Sequence, residues 1–179
     1  MGAIKLYRWS RALHLKRVPL LPGLLRRAIL HLYGAWLPCE AEIGEGTMLG
    51  YGGLGVVLHK DSVIGRHCLL SQQVTLGGRN GQPGAPVLGD FVRVGAGARI
   101  LGNIRVDDFA VIGANAVVVH DVPRGAVVAG VPARVLREQL DPVFDWTRDM
   151  GRPPPGVEGR NVMAPRNAEG LIDAGAADR

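Results

Sequence analysis

The chain has 179 residues, enough for a single domain with a sizeable core plus tails, and its 21 Lys and Arg against 16 Asp and Glu give a formal net charge of +5. Only 2 cysteines are present, which excludes a disulfide-stapled scaffold and points to a reducing, cytoplasmic compartment. No apolar run reaches the roughly 20 residues of a membrane span, and no signal-peptide core with a small-residue cleavage site is visible.

The charge is concentrated at one end. Lys5, Arg8, Arg11, Lys16, Arg17, Arg26 and Arg27 precede residue 40, and every acidic residue follows residue 39. Among these cations run Tyr7, Trp9, Leu13, Leu15, Leu20, Leu24, Ile29 and Leu32, with Pro19 and Pro22 dividing the segment into two short helices. The preferred reading is a helical cap over residues 1–38, and the second is weak contact of residues 1–33 with an anionic lipid surface. Cations interleaved with core-type leucines do not make a nucleic-acid motif, so no nucleic-acid partner is expected.

From Ile43 to Pro123 a six-residue beat takes over. A branched aliphatic residue stands at Leu58, Ile64, Leu70, Leu76, Leu88, Val94, Ile100, Val106, Ile112 and Val118. Four residues after an aliphatic one comes a second small or branched residue, as at Ser62, Cys68, Val74, Val92, Ala98, Ile104, Ala110, Ala116 and Val122. Each unit is too short to bury its own apolar face and must stack on its neighbours. The glycine that often follows the aliphatic residue suits a corner whose dihedrals a side chain would disfavour. Glycine recurs too often here for an α-helix. Two irregularities stand out: the interval from Leu49 to Leu58, and Gln82 in an aliphatic slot inside the Gly- and Pro-rich loop 77–87, which reads as a projecting arm.

This pattern resembles the hexapeptide-repeat acyltransferases, which implies a mostly β fold, a left-handed parallel β-helix with three hexapeptides per coil, preceded by the N-terminal α-helical segment. Val74-Thr75-Leu76-Gly77-Gly78, Val94-Gly95-Ala96-Gly97-Ala98-Arg99-Ile100, Ile112-Gly113-Ala114-Asn115-Ala116 and Gly130-Val131-Pro132-Ala133-Arg134 are similar to the C-terminal half of serine acetyltransferases. That resemblance implies a homotrimer with acetyl-CoA as co-substrate, its pantetheine lying in a groove between subunits. Gly77, Gly78, Ala96, Ala98 and Ala114 would line the groove, and Arg79, Arg99 and Arg134 would meet phosphates. No metal is expected; a carbonic-anhydrase-like zinc site would need three convergent histidines.

Acyl transfer to a hydroxyl needs a base, and histidine suits it near neutrality. Of five histidines, His14 and His31 fall in the helical segment and His67 and His120 in outward slots. His59 takes the corner slot directly after Leu58, beside the irregular interval, and is the candidate base. Cys68 occupies an inward slot and reads as core. Where serine acetyltransferases carry Leu-Asp-His, this chain has Leu49-Gly50-Tyr51, so the donor half of the family is better matched than the serine half. Chains with Leu-Gly-Tyr-Gly-Gly-Leu-Gly and Val-Val-Leu-His-Lys-Asp at these places resemble a serine-acetyltransferase-like group tied to surface-polysaccharide or specialised metabolism. Tyr51 and Gln73 are then candidates to bind or orient the acceptor, a small hydroxyl-bearing molecule such as serine or a sugar. Asp61 and Glu42 are candidates to orient His59. A non-catalytic β-helix scaffold is the alternative of another class.

Past Val122 the beat ends. Residues 39–135 make the β-helix, residues from 135 to 149 suit a short helix, and 151–179, with Pro153-Pro154-Pro155, read as a mobile tail.

Overall fold

The six-residue beat winds the chain around a triangular prism. The computed structural model describes residues 2–81 and 83–137; Gln82, the rest of the expected C-terminal helix and the expected tail lie outside the described residues. One face carries β1 (Glu42–Ile43), β4 (Val63–Ile64), β7 (Val87–Leu88) and β10 (Arg105–Val106). The second carries β2 (Met48–Leu49), β5 (Leu69–Leu70), β8 (Arg93–Val94), β11 (Val111–Ile112), β13 (Val127–Gly130) and β14 (Ala133–Arg137). The third carries β3 (Val57–Leu58), β6 (Thr75–Gly77), β9 (Arg99–Leu101) and β12 (Val117–Val118). Successive coils pair in parallel, so each aliphatic residue stacks on its counterpart: Ile43 on Ile64 and Leu88, Leu49 on Leu70 and Val94, Leu58 on Leu76 and Ile100. These residues, with Cys68, Val74, Val92, Ala98, Ala110 and Ala116 at the inner corners, form one buried core.

Two expectations change. The β-helix starts one unit before Ile43, inside the segment assigned to the cap: Trp36 pairs in parallel with Val57, its N–H donating to the Val56 carbonyl at 2.8 Å, and Leu37 is fully buried. At the other end, Val135–Arg137 belong to β14, antiparallel to β13, where the sequence suggested a helix. Strand pairing on the last coil captures these residues because it satisfies an otherwise open sheet edge.

The glycines also act differently from expectation. Positive φ falls three residues after the aliphatic position, at His67, Gln73, Phe91, Gly97, Phe109 and Asn115. Gly44, Gly65, Gly89, Gly95 and Gly113, directly after it, have ordinary φ but lie against the next coil. A Cβ on Gly44 would stand 2.5 Å from the Gly65 carbonyl carbon, one on Gly65 would collide with the Gly89 carbonyl, and one on Gly113 would be 2.7 Å from Ala129 Cβ. Close stacking, not a special dihedral, demands glycine there. Along the neighbouring edge His67, Phe91 and Phe109 stack at 5.2 and 5.0 Å, with Arg124 4.9 Å over Phe109. Arg66 pairs with Asp90 at 2.7 Å beside them, and hydrogen bonding to this guanidinium holds the Asp90 carboxyl below its usual range.

The N-terminal segment folds as α1 (Ala3–Leu15) and α2 (Leu21–Tyr33), which pack on each other and share the core through Ala3, Tyr7 and Ile29. Pro22 opens α2, and Gly34 in the left-handed region closes it. Tyr7 donates to the Ala41 carbonyl at 2.5 Å, and Arg11 donates to the Cys39, Glu40 and Ala41 carbonyls and pairs with Glu42 at 2.8 Å. α1 is thereby fixed to the first coil.

Gly65→Ala should lower stability by roughly 2 kcal/mol through the clash between coils, whereas Gly23→Ala, where an added Cβ meets nothing within 4 Å, should raise it slightly. Thermal unfolding followed by circular dichroism reads both; equal melting temperatures would refute the stacking argument. Burial, outweighing the nearby Arg11, pushes the Tyr7 phenol up to about 12. A raised folded-state value means that Tyr7 contributes fully below about pH 10 and that its contribution disappears as pH climbs to about 12. The wild type should therefore lose on the order of 2 kcal/mol more than Tyr7→Phe over that interval.

Candidate active site

His59 stands where the chain leaves the third face. Alternation along β3 turns Leu58 into the core, and the corner that follows is fixed by the His59 N–H donating to the Leu76 carbonyl at 2.8 Å and the Ser62 N–H donating to the His59 carbonyl at 3.0 Å. The imidazole is 35% exposed. Its Nδ1 accepts the Asp61 N–H at 3.3 Å and lies 3.7 Å from Asp61 Oδ2. With Nδ1 accepting, the neutral ring keeps its proton on Nε2. In the other tautomer Nδ1–H faces the Asp61 carboxylate and Nε2 is the free, accepting atom. Glu42 does not reach this arrangement, because Arg11 holds its carboxylate.

A cavity of about 370 Å³ borders the ring, lined among others by Arg26, Trp36, Glu40, His59, Thr75 and Gly77. In its lining the Arg26 guanidinium lies 4.7 Å over Trp36, and Arg26 Nε is buried with no hydrogen-bond partner. Burial opposes ionisation of Glu40, yet its own backbone, the Cys39 thiol, Arg26 and His14 together hold its carboxyl below the ordinary value. A cation, a carboxylate and an aromatic ring around one small space suit a polar molecule better than a hydrocarbon. Gly78 completes the rim: a Cβ there would approach His59 Nε2 to 3.9 Å. Sequence reasoning missed Arg26 and Trp36, although Leu37, one beat before Ile43, was the available signal that the repeat reaches back to Trp36.

The other anticipated residues divide by corner. Gly77, Gly78 and Arg79 lie with His59 and Asp61 at the exit of the third face, Arg79 being exposed. Tyr51, Gln73, Ala96 and Ala114 lie at the opposite corner, where the chain enters that face, so one chain does not bring them to His59. Tyr51 is 82% exposed with φ 50° in the 3-10 segment Gly50–Gly53. Arg99 Nη1 donates to the Gln73 and Gly97 carbonyls at 2.6 and 2.9 Å, which makes it a clasp for this corner. Ala98 cannot line a groove: it is fully buried in the prism. The same small side chain that would open a channel is also what the inner corner requires. Arg134, on β14 at the last coil, is exposed and donates to the Ala133 carbonyl at 3.1 Å. His59 and His67 occupy different corners, and among the described residues no three His, Cys, Asp or Glu are placed to hold a metal.

Comparison with known proteins is consistent in sequence and in structure. Serine acetyltransferase of Helicobacter pylori J99 is 38% identical over 136 residues, covering 75% of this chain and 79% of that protein. Serine acetyltransferase of Synechococcus elongatus is 39% identical over 136 residues, covering 75% of this chain and 55% of the relative. Among solved structures, Neisseria gonorrhoeae serine acetyltransferase in complex with serine matches with a TM-score of 0.70 at 39% identity, covering 74% of this chain and 54% of that one. The Brucella abortus enzyme in complex with coenzyme A matches with a TM-score of 0.72 at 32% identity, covering 75% and 54%. No protein-family model matches the chain. It spans about half the length of the first relatives it matches, 55% and 42%. The chain belongs to the serine acetyltransferase family, and its fold is the left-handed β-helix expected from the repeat.

The cysteines are unpaired and buried. Burial pushes the Cys68 thiol up to about 11, and burial together with Glu40 raises that of Cys39. An aromatic disulfide reagent at pH 8 should therefore modify the native protein at least about tenfold more slowly than the unfolded chain; rapid native reaction would contradict a purely structural role for these thiols.

Proposed function

We propose that the protein is an acetyl-CoA-dependent O-acetyltransferase that transfers acetyl directly to a hydroxyl of a small acceptor. The observation that carries this reading is the position of His59, beside Asp61 and the Gly77–Gly78 step, on the border of a cavity of about 370 Å³. Membership of a family with relatives solved with coenzyme A and with serine supplies the donor. In the reaction His59, in the tautomer that turns Nδ1–H to Asp61, takes the acceptor's hydroxyl proton on Nε2 as the oxygen attacks the thioester carbonyl carbon. Asp61 stabilises the imidazolium, and backbone amides beside Gly77 stabilise the tetrahedral oxyanion. Collapse breaks the carbon–sulfur bond, and the imidazolium returns its proton to the departing thiolate.

The chain acts as a homotrimer in this reading. The entry corner of Tyr51, Gln73, Ala96 and Ala114 and the exit corner of His59 and Gly77 are separate in one chain, and three-fold packing of prisms sets the corner of one chain beside a corner of the next. A sugar acceptor is the second reading, supported by Trp36, whose indole gives the cavity an aromatic wall.

His59→Ala should lower acetyl-CoA turnover by at least about a thousandfold while leaving acetyl-CoA affinity within a few-fold. Thiol release with serine and with sugars, alongside calorimetric acetyl-CoA binding, checks it. Retained turnover would move the base elsewhere, and absence of acetyl-CoA binding by the wild type would favour a scaffold.

A further inference from the structure

The α1–α2 hairpin ends in an apolar and basic tip that the site does not use. Leu15 is 67% exposed, Leu20 82%, Leu21 47% and Leu24 60%, all within ten residues of sequence at the connection between the helices. Leu20 is held there at a cost. Its φ of 65° and ψ of −43°, with the Leu21 N–H donating to the Pro19 carbonyl at 2.7 Å, form a positive-φ γ-turn, the rare and strained kind. A β-carbon in that region is disfavoured, and the strain yields nothing in packing, because the side chain is in water. Lys16 and Arg17 flank it, and the exposed face of α1 continues with Lys5, Arg8, Trp9 and Ala12 at helical spacing. Neither Lys16, Arg17 nor Arg27 pairs with an acidic side chain among the described residues, and no acidic residue occurs before Glu40.

We propose that this tip docks on an anionic lipid surface, with Leu20, Leu21 and Leu24 entering the headgroup boundary and Lys16, Arg17 and Arg27 meeting lipid phosphates. The charge selects the occupant. A second copy seated on the same tip would place cation against cation, which repels. A turn between two helices is convex and gives a peptide no cleft, whereas a bilayer accepts projecting leucines with basic flanks. No helix of the described residues is long and apolar enough to cross a membrane, so the contact is interfacial. The inference goes beyond the acetyltransfer reading and stands or falls without it.

The test is flotation of the full chain with phosphatidylcholine vesicles containing or lacking phosphatidylglycerol. Anionic vesicles should bind on the order of tenfold more tightly than neutral ones, and about 0.5 M salt should erase the difference. Leu20→Gly with Leu24→Ser, and separately Lys16→Glu with Arg17→Glu, should each weaken binding by about tenfold. These side chains are exposed, and glycine relieves the γ-turn, so circular dichroism and melting temperature should be preserved. Equal binding to both vesicles, no binding to either, or undiminished binding by the variants would overturn the proposal. So would a change in assembly size on making the leucine variant without lipid, read by light scattering, which would assign the tip to contact between copies.

Discussion

The structure depends on coils lying backbone to backbone at strand spacing, about 4.8 Å. After the inward aliphatic residues of the first two faces this contact leaves no room for a side chain at Gly44, Gly65 and Gly89 in one column and at Gly95 and Gly113 in the next. Once the backbones meet there, the ladders Ile43–Ile64–Leu88 and Leu49–Leu70–Val94 come into register, and the second inward positions take small or branched residues such as Cys68, Val74, Val92, Ala98, Ala110 and Ala116 at the prism corners. The outer edges are then close enough for rings and ion pairs to stack at coil spacing, as in His67–Phe91–Phe109 and Arg66–Asp90.

A stacked prism has two open ends. At the first, α1 and α2 cover the core with Ala3, Tyr7 and Ile29, and Arg11 donates to three carbonyls of the turn that leads into β1. At the other, β14 turns back antiparallel on β13. Covering the first end has a chemical consequence: it places Arg26 of α2 in the lining of the cavity that His59 borders, over Trp36 of the first unit. The repeat alone would offer His59 on an open corner. Helices and repeat together set it at the border of a cavity.

The repeat was legible because its period is a local property of sequence and each aliphatic residue announces its own inward direction. His59 was legible for the same reason, as a large polar side chain in a slot the pattern usually gives to small residues. What could not be read was assembled from distant segments. Arg26 and His59 are brought together by helix packing, which leaves no spacing signature. Ala98 misled because alanine answers equally to a tight corner inside and to an open groove outside; only burial separates the two. The glycines misled in a related way, since a missing side chain reports either a backbone angle or a close neighbour, and here the close neighbour decides.

The two interruptions of the beat carry the last step. One unit grows by three residues between Leu49 and Leu58, through the Gly50–Gly53 turn that exposes Tyr51; another grows by six between Leu76 and Leu88. Both interruptions border the third face, one at its entry corner and one at its exit. The first and second faces keep their spacing from Ile43 to Leu49, Ile64 to Leu70, Leu88 to Val94 and Val106 to Ile112. Extra residues in a stacked coil add loop entropy and remove pairing, so a fold under stability pressure alone has no reason to gather them on one side. Their convergence on the face that ends in His59 marks it as the side where the chain trades regular stacking for chemistry.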